Sequence, residues 1–218
     1  MTSCKIIEEV EEEISNEDAL ENDEVSTSLL EINPKELLDI LENQTSFRCQ
    51  IMENEEYILD IIWVIDPTAF YIKTFEDGVV LAHFIEIEQR EWLGPGTDPD
   101  DWLPVNSLAS DLKESAKELR DSALQLLNGT LQAAFPNRKV KSNQDSVEIN
   151  GVVCNEYSWI DNDNKQELYV AVDNGLPVMA KMNSLKINII DINNPANVIK
   201  APVSEFPEKL YVDDARMF

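Results

Sequence analysis

The chain has 218 residues, 43% of them hydrophobic and 28% charged, with a formal net charge of −26 at pH 7. That much apolar material can bury a sizeable core, which excludes a wholly disordered chain. So strong a negative field repels nucleic acid and anionic lipid head groups, and no run reaches the ~20 apolar residues of a membrane-spanning helix.

Residues 1–27 form an acidic segment, with ten acids and no base between Glu8 and Glu24. It reads as a solvated spacer ahead of a single domain over residues 28–218. Ile6, Ile7, Val10 and Ile14 have helical spacing, enough for a transient helix. Nothing apolar precedes Cys4, which leaves two readings. Either Met1 starts a cytoplasmic protein, or a secretion signal has been removed. In the second case Thr2-Ser3-Cys4 is the remnant of a lipobox, and Cys4 carries lipid on the outer side of a membrane.

Asn33, Pro34 and Glu36 form an N-cap, a first helical position and a capping-box partner, so a helix with Leu37, Leu38 and Leu41 on its apolar face runs to about Asn43. The period then changes. Ser46–Met52, Tyr57–Ile65, Ala69–Phe75 and Val79–Glu88 are short β-rich runs joined by turns, and such short connections make an antiparallel meander. Arg90–Val105, rich in Gly, Pro and Asp, reads as a loop. Leu112, Ala116, Leu119, Ala123, Leu126 and Leu127 share one helical face, with a stop at Asn128-Gly129 and a further turn at Leu131–Phe135. Strands return over Arg138–Ser142, Asp145–Asn150, Val152–Ile160, Gln166–Val172, Pro177–Asn183 and Lys186–Asp191, separated by Asn, Asp and Gly. Two separated helices among so many strands point to an antiparallel sheet curling around them.

The residues offer little for catalysis. The one histidine, His83, alternates with Leu81 and Ile85 inside a strand and reads as a wall residue. No GxSxG, phosphate-cradling glycine loop or HExxH occurs, so no enzyme is expected. Asp161-Asn162-Asp163-Asn164 starts like a calcium loop, but Lys165 and Gln166 break the pattern, leaving a hairpin turn and no metal. No CxxC pair supports zinc. Beside Cys4 stand Cys49 and Cys154, either a pair or two buried free thiols acting as small hydrophobes.

Several strands are apolar on both faces, where a half-buried sheet shows one polar face. Such a sheet is covered twice or lines a hydrophobic cavity. Alternation and bulk select Trp63, Phe70, Ile72, Leu81, Phe84, Ile85 and Trp92 as cavity or gate candidates, with Leu119, Ala123 and Leu126 as a helical lid. Each also serves as ordinary core.

A series of words in the second half carries a resemblance. Asn150-Gly151-Val152-Val153-Cys154-Asn155-Glu156-Tyr157 is followed by a strand ending in Val172-Asp173, then Gly175-Leu176-Pro177. Asp191 to Asn194-Pro195 and Ile199-Lys200-Ala201-Pro202 complete it. This order resembles the C-terminal half of the LppX/LprG-type lipoproteins of the LolA/LolB superfamily. The strand start Gln44-Thr45-Ser46-Phe47-Arg48 is similar in layout to their first half. The resemblance implies an α+β fold, a curled antiparallel sheet forming an unclosed β-barrel with two or three helices covering its mouth. It implies a non-enzymatic envelope lipoprotein without cofactor, binding or carrying lipid or acyl chains and tethered through Cys4. The alternative is a regulatory or interaction lipoprotein that works through a protein partner. The acidic segment, the loop Gly94–Asp101 and the tail after Pro202 depart from the pattern. In the tail, Phe206, Leu210 and Tyr211 suggest a packed strap.

Overall fold

The computed structural model describes residues 30–66, 68–95 and 102–202. The acidic segment, Cys4, most of the Gly94–Asp101 loop and the tail after Pro202 lie outside the described residues.

A two-residue strand, β1 (Glu31–Ile32), precedes helix α1 (Pro34–Glu42). Asn33 caps this helix, its side chain accepting the Lys35 amide at 3.2 Å. The Glu36 amide donates instead to the Asn33 carbonyl at 3.0 Å. The first meander follows as β2 (Ser46–Glu53), β3 (Glu56–Val64), β4 (Ala69–Glu76) and β5 (Val79–Ile87). Its continuation, β6 (Arg90–Pro95) and β7 (Leu103–Pro104), corrects the expected loop. Gly94 explains part of that error. A Cβ there would come within 3.2 Å of the Trp102 ring, so glycine is what lets Trp102 lie on the strand.

Helix α2 (Ser110–Ala134) is continuous through Asn128-Gly129, where a stop was expected. Leu127, Thr130, Leu131 and Ala134 are all buried along it, so packing outweighs the ~1 kcal/mol that glycine costs a helix. The second meander is β8 (Val140–Ile149), β9 (Val152–Asp161), β10 (Asn164–Ala171), β11 (Pro177–Met182) and β12 (Leu185–Ile190). Here Arg138–Ser142 and Asp145–Asn150, expected as two strands, are one. The register to β9 slips between Ser142 and Ser146, so the Asn-Gln dipeptide sits at a bulge, not a turn.

All the described strands join one 12-stranded antiparallel sheet in the order β1-β8-β9-β10-β11-β12-β2-β3-β4-β5-β6-β7. The two meanders meet at the β12–β2 pair, and β1 and β7 stay unpaired with each other, so the barrel is unclosed. This is the curled, helix-covered antiparallel sheet that the resemblance implied. Five connections place both turn residues at positive φ, among them Asn150-Gly151 (53°, 80°) and Asn162-Asp163 (48°, 64°). That geometry matches the right-handed twist of the flanking strands and suits Asn, Asp and Gly.

Register defines the inner face. Tyr157, Leu168, Ala180, Ile187, Ile51 and Leu59 are successive cross-strand partners from β9 to β3, none more than 2% exposed. A neighbouring row holds Ile189, Cys49, Ile61, Ile72 and Phe84. Leu37, Leu38 and Leu41 of α1 and Ala116, Ala123, Leu127 and Leu131 of α2 complete this core.

Candidate functional site

The inner face meets helix α2 imperfectly at two places. At the Val64 end of β3, Trp63 pairs with Phe47 on one side and Phe70 on the other. Its ring stacks on Phe47 with centroids 6.0 Å apart and leans on Phe70 at 5.9 Å. Cross-strand aromatic neighbours of this kind stabilise both strand pairing and a smooth apolar wall. Phe47, Trp63, Ile65 and Leu131, with Glu42, Thr68 and Asn128, line a mainly apolar recess of about 330 Å³ that opens to the surface. On the opposite flank of α2, Leu126, Gly129 and Thr130 face Met182 and Leu185 across a wider opening of about 560 Å³.

Between the two openings the interior is filled. Leu127, Ile51 and Ile187 are each 0% exposed. Among the described residues, two separate recesses therefore flank helix α2, the smaller mainly apolar and the wider also lined by Ser122, Gln125, Asp161, Gln166 and Asn183.

Trp63 lines the smaller recess, Phe70 adjoins it, and Ile72 and Phe84 lie in the core row nearby. Ala123 is buried on the core-facing side of α2, Leu126 lines the wider recess, and Leu119 is half-buried on the same helix. Three sequence candidates stand elsewhere. Ile85 pairs with Tyr71 and Trp92 pairs with Ile85, which puts both on the outer face. Neighbouring strand residues point to opposite sides, so Phe84 and Ile85 could not share a wall. Leu81 is 50% exposed: β5 pairs Ala82 with Thr74 and Val80 with Phe75, leaving Leu81 as the extra residue of a bulge. Phe47, Leu131, Met182 and Leu185 line the recesses and were missed. Each looks like ordinary core in sequence, and only its register partner reveals the placement.

Arg120 ties α2 to the sheet. Its guanidinium pairs with Glu91 of β6, lies 3.5 Å from Glu86 of β5, and sits 6.0 Å from the Phe84 ring centre. Burial pushes the Glu86 carboxyl above its ordinary range, with Arg120 acting in the opposite direction.

The outer face holds a different chemistry. Arg48 donates two hydrogen bonds to Asp60, at 2.8 and 2.5 Å, and Asp60 is only 5% exposed. The Tyr71 hydroxyl is 2.5 Å from Nδ1 of His83, which is 3% exposed and meets the Trp102 ring edge-on. Burial, and then the charge of Asp60, pushes the Tyr71 phenol up to about 12. His83 is thus a packed sheet residue, as its strand pattern indicated. Cys49 belongs to the inner core and Cys154 to a second cluster with Tyr169 and Met179 on the other face. Both thiols are free, and burial raises the pKa of each. Among the described residues no group of His, Cys, Asp and Glu has the arrangement of a metal site. Among them, too, no helix is long and apolar enough to cross a membrane.

No family model matches the sequence, and no curated protein matches it. Among solved structures, the crystal structure of the lipoprotein LppX of Mycobacterium tuberculosis is similar. It has 18% sequence identity and a TM-score of 0.43, covering 74% of this chain and 93% of that one. The neighbour is of the type that the sequence words resemble. The curled sheet described above stands on its own strand pairings.

Proposed function

We propose that the protein is a non-enzymatic envelope lipoprotein that binds an acyl chain or another lipid group between helix α2 and the inner face of the sheet. The observation that carries this reading is the recess walled by Phe47, Trp63, Ile65 and Leu131, a mainly apolar space of about 330 Å³ open at the surface beside helix α2. At ~0.8 kcal/mol per buried CH₂, a twelve-carbon chain gains roughly 10 kcal/mol before ordering costs. Acylation of Cys4, outside the described residues, would place this site at a membrane surface. A single acyl chain holds a protein there only weakly.

The test is a fluorescent fatty-acyl probe titrated into the purified protein, together with mass spectrometry of its organic extract. Saturable probe binding that is lost in Leu131→Trp, which fills the recess, supports the reading. An empty extract and no probe uptake by the folded protein overturn it.

A second reading rests on the filled interior, where Leu127, Ile51 and Ile187 leave no continuous channel. In that case the fold is a rigid scaffold and the protein acts through its surface on a protein partner. Deleting residues 5–27 separates the two, because partner capture depends on the surface whereas probe uptake depends on the recess.

A further inference from the structure

The wider recess beside α2 holds two buried polar side chains that nothing among the described residues satisfies. Register puts Trp159, Gln166, Met182 and Leu185 in one inner-face row from β9 to β12, beside the apolar row that holds Leu168 and Ala180. Gln166 is the one amide among these four and is 6% exposed. From the helix side Thr130, 4% exposed, lines the same space. Neither side chain has a hydrogen-bond partner among the described residues. A buried amide or hydroxyl left unpaired costs free energy, and an apolar residue at either position would pack without that cost. Both groups therefore need something that enters the recess, either water or a ligand that replaces it.

The rest of the lining narrows the ligand. Met182 is buried, Leu126 and Leu185 are half-buried, and Ser122, Gln125, Asn183 and Asp161 stand exposed around them. Hydroxyls and amides both donate and accept, whereas the one carboxylate accepts only. Among the described residues the lining holds no Lys, Arg or His, so a phosphate, sulfate or carboxylate would meet a repelling charge and no counter-ion. A neutral ring bearing several hydroxyls fits better. Its hydroxyls reproduce the bonds of the water they displace, while its C–H face covers Met182 and the two leucines. The recess, about 560 Å³, lies within the ~300–1,000 Å³ of small-molecule sites.

We propose that this recess binds a neutral polyhydroxyl group, a sugar or similar polyol, whose hydroxyls bond Gln166 and Thr130 on the floor and Gln125 and Asn183 at the rim. The inference does not rest on the acyl-chain reading, because the recess walled by Phe47, Trp63 and Leu131 lies on the other flank of α2.

Saturation-transfer NMR on the purified full chain with methyl α-glucoside, methyl α-mannoside and methyl β-galactoside tests the site. Transfer to the ring protons of at least one glycoside is expected, with binding at least about tenfold weaker in Gln166→Leu and in Gly129→Leu. Position 129 lines the recess and a Cβ there meets nothing within 4 Å, so the added side chain fills the space without a clash. Leu131→Trp should leave glycoside binding unchanged, which separates this site from the acyl-chain site. Gln166→Leu should also unfold at a higher denaturant concentration, because it removes an unpaired amide from the interior. Transfer to none of the three glycosides, or binding that survives both recess variants, overturns the proposal. So does a lower midpoint in Gln166→Leu, which would mean that the amide is already bonded. An octyl glycoside that binds about tenfold tighter than its methyl counterpart supports the site as the seat of a lipid head group, and equal binding supports a free sugar.

Discussion

The two faces of this sheet are built from the same alternating strands and have opposite characters. The inner face is a continuous hydrocarbon row closed by two helices, with residues such as Leu168 and Ile187 at 0% exposure. The outer face mixes an apolar row with a part-buried ion pair, Arg48–Asp60, and a hydrogen-bonded Tyr71–His83 pair. Apolar residues on both sides of a strand therefore do not by themselves indicate a cavity. Burial on the inner side comes from helix packing, which is non-directional and tolerates a recess. Burial on the outer side depends on polar groups finding partners, and so leaves far less freedom of arrangement.

Removing a core side chain breaks the inner face most severely. Leu127→Ala is expected to destabilise by about 3–4 kcal/mol, read as a lower denaturant midpoint at unchanged m-value, because α2 and the sheet cannot collapse around the lost volume. The matching change outside, Asp60→Ala, strips Arg48 of both of its hydrogen bonds at a group that is 5% exposed. A loss of about 2 kcal/mol is expected, smaller because Arg48 itself reaches solvent. If Asp60→Ala proves as damaging as Leu127→Ala, the outer face is as tightly determined as the core and the contrast fails.

Gly129→Ala carries the opposite sign. The residue is helical and a Cβ there meets nothing within 4 Å, so a gain of up to about 1 kcal/mol in thermal or chemical unfolding is expected. A loss would show that the wider recess beside α2 is already filled.

The smallest effect concerns pH. Burial works against ionised Glu167, but hydrogen bonds from Lys165 and Tyr169 hold its carboxyl below the usual range. A depressed native pKa contributes stability above the unfolded value of ~4.3, and that stability is lost as pH falls through the native value. Glu167→Gln should therefore lower stability near neutral pH, where the ionised carboxylate contributes, and converge with the wild type as pH falls below the native value, so that the acid limb flattens. An acid limb identical to the wild type would place the acid sensitivity elsewhere.

Much of the fold was legible. Asn33-Pro34 marked α1, and Asn, Asp and Gly pairs marked turns such as Asn150-Gly151, because positive φ at both positions suits those residues. The errors share one cause: local signals read without partners. Gly129 looks like a stop until Leu131 and Ala134 are seen packed, and the Asn-Gln pair in β8 looks like a turn until its register to β9 is known. The candidate site was legible by type and only partly by position. Of the cavity or gate candidates, Trp63 lines the smaller recess and Phe70 adjoins it, whereas Ile85 and Trp92 lie on the outer face, and Phe47 was not among them.

Composition and local pattern alone determined that the described residues fold into an antiparallel α+β sheet with two separated helices. Charge, hydropathy period and turn chemistry act over a few residues and need no tertiary partner. Which side of each strand faces α2, where the packing leaves a recess, and what meets Asp60 or Trp63 were decided only by tertiary structure. A one-residue slip in register exchanges the two faces of a strand while its sequence stays the same.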